Sequence, residues 1–429
     1  MKSLDAKLAE IKRNPASRAF ILADAKDADM AFGVRATGPR SYLSAKGARP
    51  AQFSPEVWTR EEFGQRNLPE FFDIIREVTR QGLVDIMLMS ASVNEQLTIK
   101  EGLFRNSHVT PAARANDTTD IWAVRHGSYV KAPAQPFRTA SIDQIQCGKI
   151  ECERNGQEFP GANLGLYSVT FVNDLAQDRA TLQAFKEFRE EAERKEFRYF
   201  LEVFDPNVPS GVVPEKLGEF INDNIIRSLA GVPEAGRPLF LKIVYHGPKA
   251  MEELAQYDPH LIVGVLGGSA GTTCDAFKLI HDAQKYGAHV ALFGRKINHA
   301  EHQLAFIEML RLITDSRVSP EEAVRAYHGM LQGKGIKPHR SLEDDLNLTD
   351  QAMSYNGEAR QRARIEIRAN PLATAKQTPS RSGAASLQTS VPMATGLWPK
   401  HSDGSPDFER MTSDQRRAYD YHRLTRKFG

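Results

Sequence analysis

A single lysine, Lys242, lies within the apolar run 239–245 (LFLKIVY). An ammonium group is costly to bury among such residues unless it is paired or functional. Burial also lowers the pKa of a lysine, which makes available the neutral amine that attacks a carbonyl carbon. The run therefore predicts a nucleophilic lysine that forms a Schiff base. The alternative is an outward-facing lysine whose stem extends along a neighbouring helix.

Two glycine-containing turns follow the next two apolar runs of the chain. The first contains Gly267, Gly268 and Ser269, and the second contains Gly294 and Arg295. Backbone N–H groups in such turns commonly bind phosphate in barrel enzymes, and an arginine adds a bidentate contact. We therefore expect these five residues to bind a phosphate group on a small-molecule substrate.

Acidic residues and a tyrosine accompany the lysine. Asp24 and Asp27 follow the first apolar run, Glu202 lies within FLEVFD, and Tyr245 comes three residues after Lys242. We expect Glu202, Asp24 or Tyr245 to move protons during imine formation, and Asp27 to bind substrate. For the two aspartates, the alternative is that they cap the following turn. Further candidates at the ends of predicted strands are Asp85, Arg114, Asn116, Asp117 and His246.

Short apolar runs alternate with segments of helical period along most of the chain. Strands are predicted at 20–23, 84–89, 108–117, 166–172, 197–205, 239–245, 261–267 and 289–294. Eight strands in series, each followed by a helix, predict an α/β fold, a (β/α)8 TIM barrel. An open doubly wound sheet is the alternative, although no GxGxxG follows the first strand. The helix at 300–314 is predicted to have Asn298 as its N-cap.

Two segments depart from this alternation. Residues 118–162 lack a clean period and are predicted to be an insertion after the third strand, with a hairpin as a candidate at 145–159. Residues 346–429 are predicted to form an extended C-terminal arm, Pro/Ser/Thr-rich over 369–405, that ends in a short helix. Residues 1–345 would form the barrel. Because the arm ends in several large apolar side chains, we expect it to pack on a neighbouring barrel in a homo-oligomer.

Composition limits the classes of partner. Hydrophobic residues make up 41% of the 429 residues, and the net charge of +2 gives no reason to expect nucleic acid or an anionic membrane as a partner. No apolar run approaches the roughly 20 residues that span a bilayer, and the charged N-terminus does not resemble a secretory signal. The three cysteines, Cys147, Cys152 and Cys274, are predicted to be reduced thiols in a cytoplasmic protein.

The order of the motifs ILAD, FLEVFD, LFLKIVYHG, GG and ALFGRKI resembles the class I aldolases of the DeoC/LacD/DhnA type, over roughly residues 15 to 335. These include tagatose-bisphosphate aldolases and archaeal-type fructose-bisphosphate aldolases. The resemblance implies a Schiff-base lysine at Lys242, catalytic carboxylates at Asp24 and Glu202, and a phosphate site at Gly294 and Arg295.

The activity that the resemblance implies is that of an aldolase acting on a phosphorylated sugar or keto-phosphate, without a metal or other cofactor. Three features depart from the family: Lys26, the insertion at 118–162 and the C-terminal arm. Two alternatives remain on the same barrel: another lyase or isomerase, or a non-catalytic protein that binds sugar phosphates or serves in assembly.

Overall fold

The computed structural model describes residues 1–27, 37–39, 64–153, 156, 158–268, 271–349 and parts of 398–419. The chain divides into two compact units, Met1–Arg362 and Ala363–Gly429. Residues 28–36 and 40–63 lie outside the described residues, as do most of the arm and of the terminal helix. Within the second unit, the rings of Trp398 and Tyr419 lie 5.1 Å apart.

The first unit is built on a ring of parallel strands. The strands of the described residues are Ile21–Lys26 (β1), Ile86–Met89 (β2), Thr110–Arg114 (β3), Asp117–Thr118 (β4), Pro136–Phe137 (β5), Leu164–Thr170 (β6), Arg198–Phe204 (β7), Leu241–Ile243 (β8), Gly264–Leu266 (β9) and Val290–Phe293 (β10). Eight of them close in the order β1-β2-β3-β6-β7-β8-β9-β10, and β10 pairs with β1. β4 and β5 pair antiparallel in the segment between β3 and β6, which contains the predicted insertion. The predicted (β/α)8 barrel is confirmed, and the open sheet is wrong.

Helices surround the barrel and follow its strands. Those of the described residues are Ser3–Arg13, Leu68–Gln81, Ala91–Asn94 (continued as a π-helix over Glu95–Lys100), Ile142–Cys147, Leu175–Arg194, Leu217–Ala230, Pro248–Tyr257, Thr273–Lys285, Arg295–Asn298, Gln303–Thr314, Pro320–Gly333 and Leu342–Leu346. Several begin with capping boxes, such as Asn67 with Glu70 and Thr272 with Asp275. These satisfy N–H groups that the first helical turn leaves without partners.

Alternate residues of each strand face the barrel lumen. A cluster of buried apolar side chains from the strands fills the N-terminal end of the lumen. In this cluster the rings of Phe200 and Phe240 stack with their centres 4.6 Å apart. Three side chains of the helix Ser3–Arg13 join this cluster: Leu4, Leu8 and Ile11. That helix therefore closes the N-terminal end of the barrel.

The insertion differs from its prediction in two respects. Residues 142–147 form a helix with a capping box at Ser141, so the hairpin predicted at 145–159 is wrong. Gly148 ends this helix with φ 74°, which turns the chain back and brings the Cα atoms of Cys147 and Cys152 to 6.0 Å. These two cysteines form a disulfide, so the prediction of three reduced thiols is wrong for them; Cys274 is a buried free thiol.

The helix after β10 begins later than predicted. Its N-cap is His302, whose Nδ1 accepts a hydrogen bond from the Ala305 N–H at 3.1 Å. Asn298 instead ends the short helix Arg295–Asn298 and accepts a hydrogen bond from Lys26. The N-cap assignment to Asn298 is therefore wrong, because a separate turn of helix precedes the long one.

None of the helices in the described part of the chain is long and apolar enough to cross a membrane.

Candidate functional site in the barrel lumen

Lys242 points into the lumen. β8 pairs with β7 so that Lys242 lies opposite Glu202. Phe240 and Phe200, each two residues earlier in the chain, face the interior. Because side chains alternate along a strand, Lys242 and Glu202 face the interior as well. The Lys242 ammonium forms an ion pair with Oε1 of Glu202, and the two residues are 7% and 0% exposed. The outward-facing alternative for Lys242 is wrong.

The Glu202 carboxylate is held by neighbouring strands. Ser168 of β6 donates a hydrogen bond from its hydroxyl to Oε2 of Glu202 at 2.7 Å and accepts one from Nη1 of Arg114 at 3.2 Å. Asn116 fixes Ser168 through two bonds to its backbone, at 2.6 Å and 2.8 Å. The Glu202 carboxylate is therefore fixed through Ser168 of β6, which Arg114 of β3 and Asn116, between β3 and β4, hold in turn.

β1 contributes Asp27 to the same network. Residues Ile21, Ala23 and Ala25 face the lumen, and Asp27 continues their alternation beyond the end of the strand. Its Oδ2 accepts a hydrogen bond from Nε of Arg114 at 2.6 Å. The carboxylate that β1 places in the lumen is therefore Asp27, which was predicted to bind substrate.

Asp24 lies on the other side of the strand. Its carboxylate is 3.0 Å from the amine of Lys26, and both side chains are fully buried. Lys26 also donates to Asn298 at 2.6 Å and to Gln303 at 2.9 Å, both of which belong to helices outside the barrel. The expectation that Asp24 shares the lumen with Lys242 is wrong, because Asp24 has the opposite parity to Ala23 and Ala25.

Tyr245 also faces the helices. It follows Lys242 by an odd number of residues and packs, with Ile243, in the cluster between strands and helices. Its hydroxyl has no hydrogen-bond partner among the residues described, and burial raises its pKa. The prediction that Tyr245 moves protons at Lys242 is therefore wrong.

The two glycine turns lie where β9 and β10 end. A Cβ on Gly267 would lie 2.2 Å from the Phe293 ring, and a Cβ on Gly294 would lie 3.0 Å from the Ala25 carbonyl oxygen. Both glycines therefore allow close packing of neighbouring strand ends. Gly268 has φ 56°, and Arg295 is half-buried at the start of a short helix. Ser269 lies outside the described residues.

Lys296 was not singled out in the sequence. Its amine donates a hydrogen bond to the Gly271 carbonyl oxygen at 2.8 Å, beside the turn after β9. Burial lowers its pKa to about 8, while nearby carboxylates such as Asp345 act in the opposite direction. Lysines next to arginines are common on helix surfaces, so the sequence contained no signal for it.

The segment between β3 and β6 supplies further groups at the C-terminal side of the lumen. Oδ1 of Asp117 lies 3.9 Å from Nε of Arg114, and Asp120 accepts a hydrogen bond from the Thr170 hydroxyl at 3.1 Å. Burial raises the pKa of both carboxyl groups, to about 6 for Asp117. Ile121 packs against an apolar set from three strands: Phe204, Val244 and Leu266.

Together these features define a (β/α)8 barrel with a lysine–carboxylate pair among polar side chains in its lumen. An amine beside a fixed carboxylate can exchange a proton with it and then add to a carbonyl group. Chemistry on this fold takes place where the strands end, and the polar layer lies on that side of the Phe200–Phe240 stack.

Comparisons with known proteins give structural neighbours only. No family model matches the chain, and no curated protein matches it. Among solved structures, an archaeal fructose 1,6-bisphosphate aldolase has 13% identity and a TM-score of 0.49, over 72% of this chain and 99% of that chain. An archaeal fructose-1,6-bisphosphate aldolase with its catalytic lysine bound to the carbinolamine intermediate has 14% identity and the same TM-score and coverage.

A third structure, a Schiff-base-forming fructose-1,6-bisphosphate aldolase, has 15% identity and a TM-score of 0.48, over 73% of this chain and all of that chain. At these identities and TM-scores, none of the three structures assigns a role to a residue of this chain.

Proposed function

We propose that this chain is a class I aldolase-like lyase that makes or breaks a C–C bond through a Schiff base on Lys242. The observation that carries the proposal is the buried pair of Lys242 and Glu202 inside the barrel. A lysine that is enclosed, paired with one carboxylate and still 7% exposed suits a nucleophile better than a structural cation.

The reaction begins with a proton transfer within this pair. Glu202 takes a proton from Lys242, and the neutral amine adds to a ketone carbon to give a carbinolamine. The acid form of Glu202 then returns the proton to the departing hydroxyl, which leaves as water, and an iminium remains. The iminium accepts the electron pair of the C–C bond as it breaks, and so serves as the electron sink.

Arg114 and Asp27 are placed to hold substrate hydroxyl groups. Arg114 lies between the two carboxylates Asp27 and Glu202, and its Nη1 is 4.0 Å from Oε2 of Glu202. A guanidinium provides several donors in one plane, and the carboxylate of Asp27 provides acceptors. This polar lining suits a substrate that carries hydroxyl groups near its carbonyl.

Borohydride trapping tests the proposal. The chain is incubated with dihydroxyacetone phosphate or fructose 1,6-bisphosphate, reduced with sodium borohydride and digested for mass spectrometry. We expect the Lys242 peptide to gain the mass of a reduced adduct, and samples without ketone to remain unmodified. Absence of an adduct on Lys242 with both ketones would contradict the proposal.

Arg295→Ala tests the proposed phosphate site. A charge-assisted contact is worth about 1.5–3 kcal/mol, so its loss should raise KM for a phosphorylated substrate by roughly 10- to 150-fold. KM for the unphosphorylated analogue should change little. Arg18→Ala is the matched control, because Arg18 is exposed and precedes β1 at the other end of the barrel. Equal effects on both substrates would show that Arg295 does not contact the phosphate.

A further inference from the structure

The segment between β3 and β6 brings to the lumen a carboxylate, Asp117, that has no part in the steps above. Asp117 is held in β4 by antiparallel pairing with Phe137 of β5. It is 2% exposed, and its Oδ2 has no hydrogen-bond partner among the described residues. A buried carboxylate oxygen without a partner is costly. Its position therefore suits a hydrogen-bond donor that arrives with a ligand.

The charged neighbours of Asp117 leave it available for proton transfer. Arg114 of β3 lies 3.9 Å away, beyond hydrogen-bond distance, and is hydrogen-bonded to Asp27. Burial raises the pKa of Asp117 to about 6; Arg114 acts to lower it and Asp27 to raise it. Asp120, on the same segment, is hydrogen-bonded to Thr170. At neutral pH, Asp117 is thus mostly ionised and more basic than an exposed aspartate.

The Arg114 guanidinium lies near both Asp117 and Glu202, and Glu202 is the partner of Lys242. Its Nε is the nitrogen near Asp117, and its Nη1 is the nitrogen near Glu202, which holds Lys242. A substrate bonded to Lys242 that extends past Arg114 would approach Asp117. In aldol cleavage, the hydroxyl that loses its proton is borne by the second carbon from the iminium carbon. Arg114 links Asp117 to the Glu202–Lys242 pair, so Asp117 is a candidate acceptor for that proton.

Building on the proposed function, we propose that Asp117 accepts the proton of this hydroxyl as the C–C bond breaks. The O–H bonding pair becomes the second bond of the aldehyde carbonyl. The electron pair of the C–C bond moves to the iminium, which becomes a neutral enamine. The proton stays on Asp117, and in the condensation direction it returns to the alkoxide oxygen.

Asp117→Asn separates imine formation from cleavage. With fructose 1,6-bisphosphate and rapid borohydride reduction, we expect wild-type Lys242 to carry both the intact ketose and a three-carbon fragment. The variant should carry the intact ketose alone, with cleavage slowed by about 10²- to 10⁴-fold, as for loss of a general base. Wild-type cleavage should also slow as pH falls below about 6, where Asp117 becomes protonated, whereas the variant should lack this dependence.

Asp143→Asn is the matched control. Asp143 is a buried carboxylate of the same segment between β3 and β6, but it pairs with Lys195 outside the lumen. It should show the wild-type mixture of adducts. If Asp117→Asn does not fold, Asp117→Ser takes its place in the same assay, with the same expected result.

Each other outcome decides the question. The wild-type mixture of adducts in a folded Asp117 variant would overturn the assignment, as would a uniform loss of rate with the pH dependence unchanged. Absence of any adduct in the variant would also overturn it, because Asp117 would then be needed before cleavage. Absence of an adduct in the wild type would reject the Schiff-base function itself, and this inference with it.

Discussion

Lys242→Met is expected to abolish borohydride trapping completely, because no amine remains at the position opposite Glu202. Methionine fills a similar volume, but Glu202 loses the nearer of its two cations and keeps Ser168 and the more distant Arg114. Removing one partner of a buried pair costs about 3–5 kcal/mol, so the variant should also be less stable. Mass spectrometry of the reduced protein measures the adduct, and urea unfolding measures the stability.

Two variants separate chemistry from stability in this test. Lys242→Arg keeps a cation beside Glu202 and should also fail to trap, since a guanidinium does not form an imine under these conditions. Lys278→Met removes a half-buried lysine that pairs with Asp282 on a helix surface, and it should trap as the wild type does. Adducts that persist in Lys242→Met would assign the chemistry to another lysine.

Lys26→Met should give the largest loss of stability outside the lumen. Lys26 is fully buried and donates to Asn298 and Gln303 while it faces Asp24. Its removal leaves Asp24 buried without a cation, at a cost of about 3–5 kcal/mol in the free energy of unfolding. Lys216→Met, which breaks an exposed pair with Glu219, should cost at most about 1 kcal/mol.

The loss in Lys26→Met should depend on pH. Burial already raises the pKa of Asp24 in the folded wild type, and Lys26 acts in the opposite direction, so the variant should have a higher value still. A carboxyl group with a raised folded pKa binds more protons folded than unfolded, so stability falls as pH rises above the unfolded value of about 3.9. The loss in the free energy of unfolding relative to the wild type should therefore be smaller at pH 4 than at pH 7. An equal difference at both pH values would contradict this account.

The sequence was sufficient to locate Lys242 and Glu202, because each is a charged residue within an apolar run. The closed barrel was also predictable, since apolar runs and helical segments alternate eight times. Which side of a strand a residue occupies was not predictable. Barrel strands are buried on both faces, so FILA and LFLKIVY show no alternation of apolar and polar residues. Asp24 and Tyr245 were therefore placed on the wrong side.

The segment between β3 and β6 was the least predictable part of the barrel unit. Asp117 and Ile121 reach the lumen through the pairing of β4 with β5, and no period in the sequence indicates that pairing. The disulfide was equally hard to predict from the sequence. Cys147 and Cys152 are close enough to bond only because Gly148 turns the chain after a short helix.

The helix Ser3–Arg13 has a consequence for the order in which molecules leave the barrel. Leu4, Leu8 and Ile11 pack into the N-terminal end of the lumen, below the stacked rings of Phe200 and Phe240. Water released when an imine forms on Lys242 would have to leave at the C-terminal end of the barrel, the same opening (mouth) by which the ketone entered. A first product that remained in that mouth would block both the departure of the second and the entry of water for hydrolysis of the imine.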